Sequence, residues 1–360
     1  MRHPHLLSFG AAVLLALCAG AAGAAERDVV LRDFTFRSGE KLPELRIHVT
    51  TFGAPRRERG HVANAVLILH GTGGTGHQFL AAPFAGVLFG PGALLDTTRY
   101  FVVLPDGIGH GRSSKPSDGL HARFPHYDYD DMVEAQYRML APLGVDHLRL
   151  VMGTSMGAMH TYVWGETHPQ FMDALMPLAC LPVAIVGRNR MWREMIANAI
   201  REDPAWMNGE YTIEPTQALR TALDLLLIAG SAPLAMQAAM GTRDSVDHYL
   251  QRAEQARLGT LDANDLLYQI EASRTYDPSP NLERIRAPLL HVNSADDFIN
   301  PPELGIAERE IARVPHGRFV LIPASASTHG HGTHTWAAIW QDQLAKLLEE
   351  SAPGTTATAR

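Results

Sequence analysis

The segment Gly153-Thr154-Ser155-Met156-Gly157 follows the apolar run Leu148-Arg149-Leu150-Val151-Met152 and precedes a helix-like stretch. An apolar run, then Gly-x-Ser-x-Gly, then a helix describes a sharp strand-to-helix turn that lifts a serine Oγ above a sheet. The two glycines have a steric job, because strand end and helix start approach so closely there that a Cβ at either position would clash. So short a pattern also arises by chance. It constrains the chain only if the rest of a nucleophile's machinery follows in order, and it does.

The 360 residues are 46% hydrophobic and 19% charged, enough apolar material for a large core. The start combines a basic tip at Arg2, an apolar stretch from Leu6 to Cys18 and small residues at Ala22-Gly23-Ala24. That order predicts a secretory signal peptide over residues 1–25, cut near Ala24 or Ala25, and hence a periplasmic or secreted protein. The apolar stretch is short against the roughly 20 residues of a membrane span, and bulky Leu17 argues against a lipid anchor at Cys18. No membrane anchor is expected after cleavage. Cys180 then remains as the only cysteine, so no internal disulfide can form, and its apolar surroundings predict a small buried hydrophobe. A formal charge of −7 and no basic cluster beyond Arg56-Arg57-Glu58-Arg59 exclude nucleic acid as a partner.

Eight segments read as strands: Val29–Phe36, Leu45–Phe52, Ala65–Leu69, Tyr100–Leu104, Leu148–Met152, Ala174–Leu178, Leu289–Asn293 and Arg318–Ile322. The first two alternate apolar and polar residues around Ser38-Gly39-Glu40, as in an exposed hairpin. The later ones are continuously apolar, as in parallel strands covered on both faces. Over Asp130–Leu143 the residues Met132, Ala135, Met139, Leu140 and Leu143 share one helical face. Together these predict an eight-stranded, mostly parallel sheet flanked by helices. The alternation breaks over residues 183–275, predicting a helical lid between core segments 26–182 and 276–350, with a disordered tail over 351–360. Methionines 191, 195, 207, 236 and 240 suit either a plain lid core or a soft lining to a substrate entrance.

A serine hydroxyl attacks only when a base takes its proton, and the base needs an acid to fix its tautomer. In folds with such a turn the chain order is Ser, acid, His. After the seventh strand two aspartates compete in Ser294-Ala295-Asp296-Asp297-Phe298-Ile299-Asn300-Pro301. The acid commonly stands four residues before a proline with an aliphatic residue between, which selects Asp297 and leaves Asp296 as a solvated turn carboxylate. After the eighth strand comes His329-Gly330-His331-Gly332-Thr333-His334, and Gly-His before a final helix selects His331. A metal site from His329, His331 and His334 is the competing reading, but the motif holds no Cys or carboxylate to complete it. The oxyanion donors should be the N–H groups of Met156 and Thr72, the latter in His70-Gly71-Thr72-Gly73-Gly74 after the third strand. Gly71 to Gly76 also fits a dinucleotide fingerprint. Three features weaken that: His70-Gly71 opens an oxyanion loop, Pro83 and Phe84 give no clean helix start, and Asp96 precedes the next strand. The chemistry requires no cofactor and no metal.

Beyond these residues the chain resembles the homoserine O-acetyltransferase-like branch of the α/β-hydrolases. The similar stretches include Asn64-Ala65-Val66-Leu67, Phe89-Gly90-Pro91-Gly92, Leu95-Asp96-Thr97, Arg99-Tyr100-Phe101-Val102, Asp131-Met132-Val133, the elbow itself, and Asp203-Pro204-Ala205-Trp206 before Gly209-Glu210-Tyr211. The resemblance implies a triad at Ser155, Asp297 and His331, a helical lid and a homodimer through that lid. The departures are specific. The transferases open the oxyanion loop with His-Ala-Leu-Thr-Gly, bind the homoserine carboxylate with a lid arginine in Arg-x-Ala-Ile, and carry an aspartate after the catalytic histidine. Here the matched positions are His70-Gly71-Thr72-Gly73-Gly74, Ala197 and Gly332. Both charge partners of an amino acid are therefore missing, although Arg188, Arg190 and Arg193 lie close by in sequence.

The expectation is a serine hydrolase cleaving an ester or other acyl compound through an acyl-enzyme on Ser155. An O-acyltransferase with a different acceptor, or a catalytically silent binding protein of the same fold, are the alternatives.

Overall fold

The computed structural model describes residues 23–352, so the expected leader up to residue 22 and the tail from residue 353 lie outside the described residues. Eight strands build one sheet: β1 (Ala25–Thr35), β2 (Lys41–Phe52), β3 (Ala65–Leu69), β4 (Phe101–Pro105), β5 (Leu150–Thr154), β6 (Leu175–Leu178), β7 (Leu289–Ser294) and β8 (Gly317–Ile322). Their spatial order is β1-β2-β4-β3-β5-β6-β7-β8. The β1–β2 and β2–β4 pairings are antiparallel, and the remaining neighbours run parallel.

The alternation of side chains along a strand builds two cores from one sheet. Leu67 and Leu69 of β3 pack on the side of α2 (Tyr129–Leu140) and α3 (Met156–Thr167). Their neighbours Val66 and Ile68 pack on the side of α1 (Ala82–Leu88) and α9 (Ala337–Glu350), where Phe84, Trp340 and Leu344 close the layer. Helix α2 begins where the sequence pattern placed it. Asp128 accepts from the Asp131 N–H at 3.0 Å while Asp131 accepts from the Asp128 N–H at 3.1 Å, so two otherwise orphaned donors are satisfied reciprocally.

Two strand expectations need correction. β1 has an exposed face, but β2 is exposed only at Lys41, Pro43 and Glu44; it lies between β1 and β4, and its polar residues His48, Thr50 and Thr51 are buried. Two of them are bonded: His48 Nδ1 to Asp28 at 2.7 Å, and the Thr51 hydroxyl to the Ala25 carbonyl at 3.2 Å. At the opposite edge, β8 is only half-buried, since no ninth strand covers it.

Between β6 and β7 the chain leaves the sheet and forms α4 (Gly187–Glu202), α5 (Thr216–Ala229), α6 (Pro233–Ala239), α7 (Arg243–Arg257) and α8 (Ala263–Glu271). Trp192, Ile196, Ala197, Leu219, Leu266 and Ile270 give this insertion its own apolar core. Helices α6 and α7 bury no residue at all. Among the described residues no single helix is long and apolar enough to cross a membrane.

Candidate active site

Ser155 stands between the end of β5 and the start of α3 with φ +53° and ψ −110°. A left-handed φ at a residue with a Cβ costs on the order of 1–3 kcal/mol and persists only where the surroundings impose it. They do. A Cβ on Gly153 would lie 2.0 Å from the Gly157 carbonyl oxygen, and one on Gly157 would lie 2.1 Å from the Leu69 carbonyl oxygen. Both obstacles are backbone, so neither position has room for a side chain.

The three residues selected from the sequence meet at the crest of the sheet. His331 Nε2 is 2.8 Å from Ser155 Oγ, and His331 Nδ1 is 3.0 and 3.1 Å from the two Asp297 oxygens. All three are buried. Asp297 also accepts the N–H groups of Ile299 and Asn300, at 2.8 and 3.1 Å, and the Asn300 side-chain amide at 3.0 Å. Burial alone would push this carboxyl up. The charge and hydrogen bond of His331, with the bonds from Asn300, outweigh burial and hold it below the usual carboxylate range. Asn300 was not singled out from sequence. Its amide also reaches the Ala179 carbonyl at 3.0 Å, tying the acid loop to the end of β6.

Asp296 is not the solvated turn carboxylate expected of the losing member of the pair. One oxygen accepts the Thr328 hydroxyl at 2.7 Å and the Gly330 N–H at 3.2 Å, and the other accepts the Ser294 hydroxyl. The adjacent aspartates therefore point to different tasks, one to the imidazole and one to the loop that carries it.

The oxyanion loop packs directly on the serine, since a Cβ on Gly71 would lie 3.3 Å from Ser155 Cβ. Thr72 follows Gly71 in the chain, and Met156 opens α3, so its N–H has no partner within the helix. Beneath the loop, His70 Nε2 accepts the Gly107 N–H at 2.9 Å, which fixes the ring. One argument against a dinucleotide loop needs correction: a helix, α1, does begin at Ala82 with Pro83 in its first turn. It starts only after the turn Gly76–Leu80, away from the glycines.

The neighbouring histidines do not gather. The His329 ring stacks on Trp336 at 4.0 Å, and His334 lies edge-on to His331 at 5.2 Å. Burial pushes the His334 imidazole down to about 3, leaving it neutral. Among the described residues no group of three or more His, Cys, Asp or Glu side chains converges as metal ligands would. Cys180 is fully buried, as its apolar run predicted.

A cavity of about 930 Å³ lies between the acid loop and the lid, with Asp297 and Asn300 on one wall and Ile185, Ile228, Met236 and Leu304 among its apolar residues. Of the methionines read as a lining, Met236 faces it, whereas Met191, Met195 and Met207 are exposed. The lid arginines have separate roles. Arg188 lies over the Phe298 ring at 3.9 Å, and Arg190 pairs with Glu194 and Glu271. Arg193 is fully buried against Asn189 and Ser273, with no acidic partner among the described residues. Ala197 is buried in the lid core, and a Cβ on Gly332 would find nothing nearer than 3.8 Å, so an acidic residue has space there but is not present.

Comparison with known proteins agrees with the fold. A family model described as the alpha/beta hydrolase fold matches residues 64–327. The homoserine O-acetyltransferase of Thermobifida fusca is 29% identical over 335 residues, covering 81% of this chain and 85% of that protein. Among solved structures, the homoserine O-acetyltransferase of Bacillus anthracis superposes with a TM-score of 0.79 at 19% identity, covering 90% of this chain and 97% of the other. An acetylester hydrolase from Corynebacterium glutamicum gives 0.78 at 22% identity, covering 90% and 96%.

Proposed function

The chain belongs to the alpha/beta hydrolase fold family, and we propose that it is an acyl-transferring enzyme, a serine hydrolase acting on an ester or related acyl compound. His331 Nε2 takes the proton from Ser155 Oγ as the oxygen attacks the substrate carbonyl carbon. The N–H groups of Met156 and Thr72 meet the developing oxyanion. Asp297 keeps the His331 Nδ1 proton in place, and the imidazolium passes its new proton to the departing alcohol. Water then attacks the acyl-enzyme with His331 as base, releasing the acid and restoring Ser155. The observation that carries this reading is the unbroken hydrogen-bonded series from Ser155 Oγ through His331 to a buried Asp297. The cavity beside Asp297, which neither Ser155 nor His331 lines, is apolar and of a size to take part of a small-molecule acyl substrate.

Water is favoured over homoserine as the acceptor on electrostatic grounds. Burying an ammonium and a carboxylate without partners costs several kcal/mol for each charge, and Ala197 and Gly332 supply none at the matched positions. An O-acyltransferase with another acceptor is the second reading. It draws on the named activity of the relatives and on Arg193, a lid guanidinium without an acidic partner among the described residues. The test supplies acetyl-CoA with homoserine, and p-nitrophenyl esters separately. Ester hydrolysis without O-acetylhomoserine supports the hydrolase, while efficient O-acetylhomoserine formation overturns it. Inertness toward both acyl donors, together with no labelling by a serine-directed phosphonate, would leave the silent binding protein.

Export rests on the leader pattern in residues 1–25, and fractionation should recover a shortened chain outside the cytoplasm. A homodimer through the lid is supported by the exposed apolar side chains Val186, Ile213, Ile228 and Leu234 on that insertion. Sedimentation of the wild type against Leu234→Asp checks it, with dissociation expected in the variant.

A further inference from the structure

We propose that Asp296 is a positioning residue, whose carboxylate holds the loop bearing His331 in register against the loop bearing Asp297. This rests on the Ser155–His331–Asp297 reading above and adds a fourth side chain to it.

His331 depends on an irregular support. Between the end of β8 and the short turn Gly330–Thr335 the backbone makes no strand or α-helix, yet the imidazole at its end must stay within hydrogen-bonding reach of two partners. Of the Asp296 bonds, two cross to this segment, and both land on one oxygen. The Thr328 hydroxyl reaches it at 2.7 Å and the Gly330 N–H, one residue before the histidine, at 3.2 Å. The second oxygen accepts from Ser294, the last residue of β7, so the carboxylate is anchored to the sheet while it grips the loop. Thr328 is buried and Asp296 half-buried, so water competes weakly for these bonds. The gripped end also has little freedom on its other side. Gly330 has φ +58°, and a Cβ there would lie 2.6 Å from the carbonyl oxygen of Ser231, in the lid connection between α5 and α6. The carboxylate thus sits where the acid loop, the histidine loop and the lid meet.

Because both cross-loop bonds end on a single oxygen, charge is not needed for the grip. An asparagine with its carbonyl oxygen in that place can accept from Thr328 and Gly330 alike; an alanine can accept from neither. A misplacement of about 1 Å at a reacting group costs up to roughly 100-fold in rate. Asp296→Ala should therefore lower kcat by roughly 10- to 100-fold with KM changed little, and slow phosphonate labelling of Ser155 in proportion. Asp296→Asn should recover most of both losses. Thr328→Val, which removes one of the two cross-loop bonds together with the Thr328 hydroxyl's contacts to Ser325 but no charge, should fall between wild type and Asp296→Ala.

The experiment measures kcat, KM and labelling rate for the three variants, and follows the low-field NMR signal of the His331 Nδ1 proton. That signal should broaden or vanish in Asp296→Ala and return in Asp296→Asn. Wild-type kcat and an unchanged proton signal in Asp296→Ala would overturn the proposal. So would an Asp296→Asn variant as damaged as Asp296→Ala, since that would make the charge the active property. If Asp296→Ala does not fold, Thr328→Val decides, and wild-type values there overturn the proposal. Labelling and the proton signal need no knowledge of the substrate, so an inert wild type in the ester assay would count against the hydrolase reading and leave this one standing.

Discussion

The crest of the sheet and the helical lid solve opposite problems with the same chain. At the crest, Ser155, Asp297 and His331 follow three separate strands, and the triad side chains are hydrogen-bonded to one another and buried. In the lid, α6 and α7 bury nothing, and large apolar side chains such as Val186 and Ile213 face solvent. The crest is held by constraints that leave little choice of residue; the lid carries surface still available for a partner or a substrate. The proposed chemistry thus sits on the buried, hydrogen-bonded region, and the exposed apolar surface on the other.

The sharpest way to break that contrast is to remove one atom from the crest. Ser155→Ala should remain folded, by circular dichroism, and lose roughly a million-fold in kcat, as when a triad acts as a unit. Normal turnover or phosphonate labelling in this variant would move the chemistry elsewhere. Asp297→Asn should cost about 10⁴-fold in kcat by presenting the wrong imidazole tautomer, measured with the same ester. A loss of tenfold or less would show that the buried hydrogen bonds to Asp297 serve folding alone.

Stability should divide along the same line. Leu67→Ala, in the middle of β3 with no exposed surface, should cost about 2–5 kcal/mol in denaturant unfolding. Leu250→Ala on α7, which is 38% exposed, should cost less than about 0.5 kcal/mol in the monomer. Equal costs would mean that the lid helices are as firmly packed as the sheet.

The smallest effect concerns Glu166 near the end of α3, whose carboxyl burial, with the nearby Asp130, pushes up to about 8. Such a group is neutral in the folded chain and ionised in the unfolded chain between the two values. Its contribution is fully present below about 4.5 and is lost as the pH rises toward about 8. Glu166→Gln should flatten that decline in a pH series of unfolding curves. An unchanged slope would assign the decline to other groups.

Much of the crest was legible because its constraints are local. Gly153 and Gly157 mark the turn by spacing alone, and β3 to β7 announce themselves as short apolar runs. The lid was legible only as an interruption, since its core at Trp192, Ile196 and Leu266 joins helices far apart in the chain. What stayed hidden depends on partners distant in sequence. Nothing near Asp296 points to Thr328 or Gly330, and nothing near Asn300 points to the Ala179 carbonyl. His48 reads as an outward residue of a hairpin until β4 covers its strand and Asp28 takes its ring. Alternation reports which face a residue occupies, but not whether that face meets water.

The clearance at the elbow bears on how such a protein can change over generations. With backbone oxygens about 2 Å from any added carbon, positions 153 and 157 have an alphabet of one letter. A side chain at either position must displace the backbone that carries Ser155, so change there alters the shape of the turn as well as its chemistry. Descendants that abandon catalysis yet persist must do so by losing Ser155, Asp297 or His331 while inheriting both glycines. The glycine pair is therefore a record of ancestry, and the side chains between and beyond it are the record of employment.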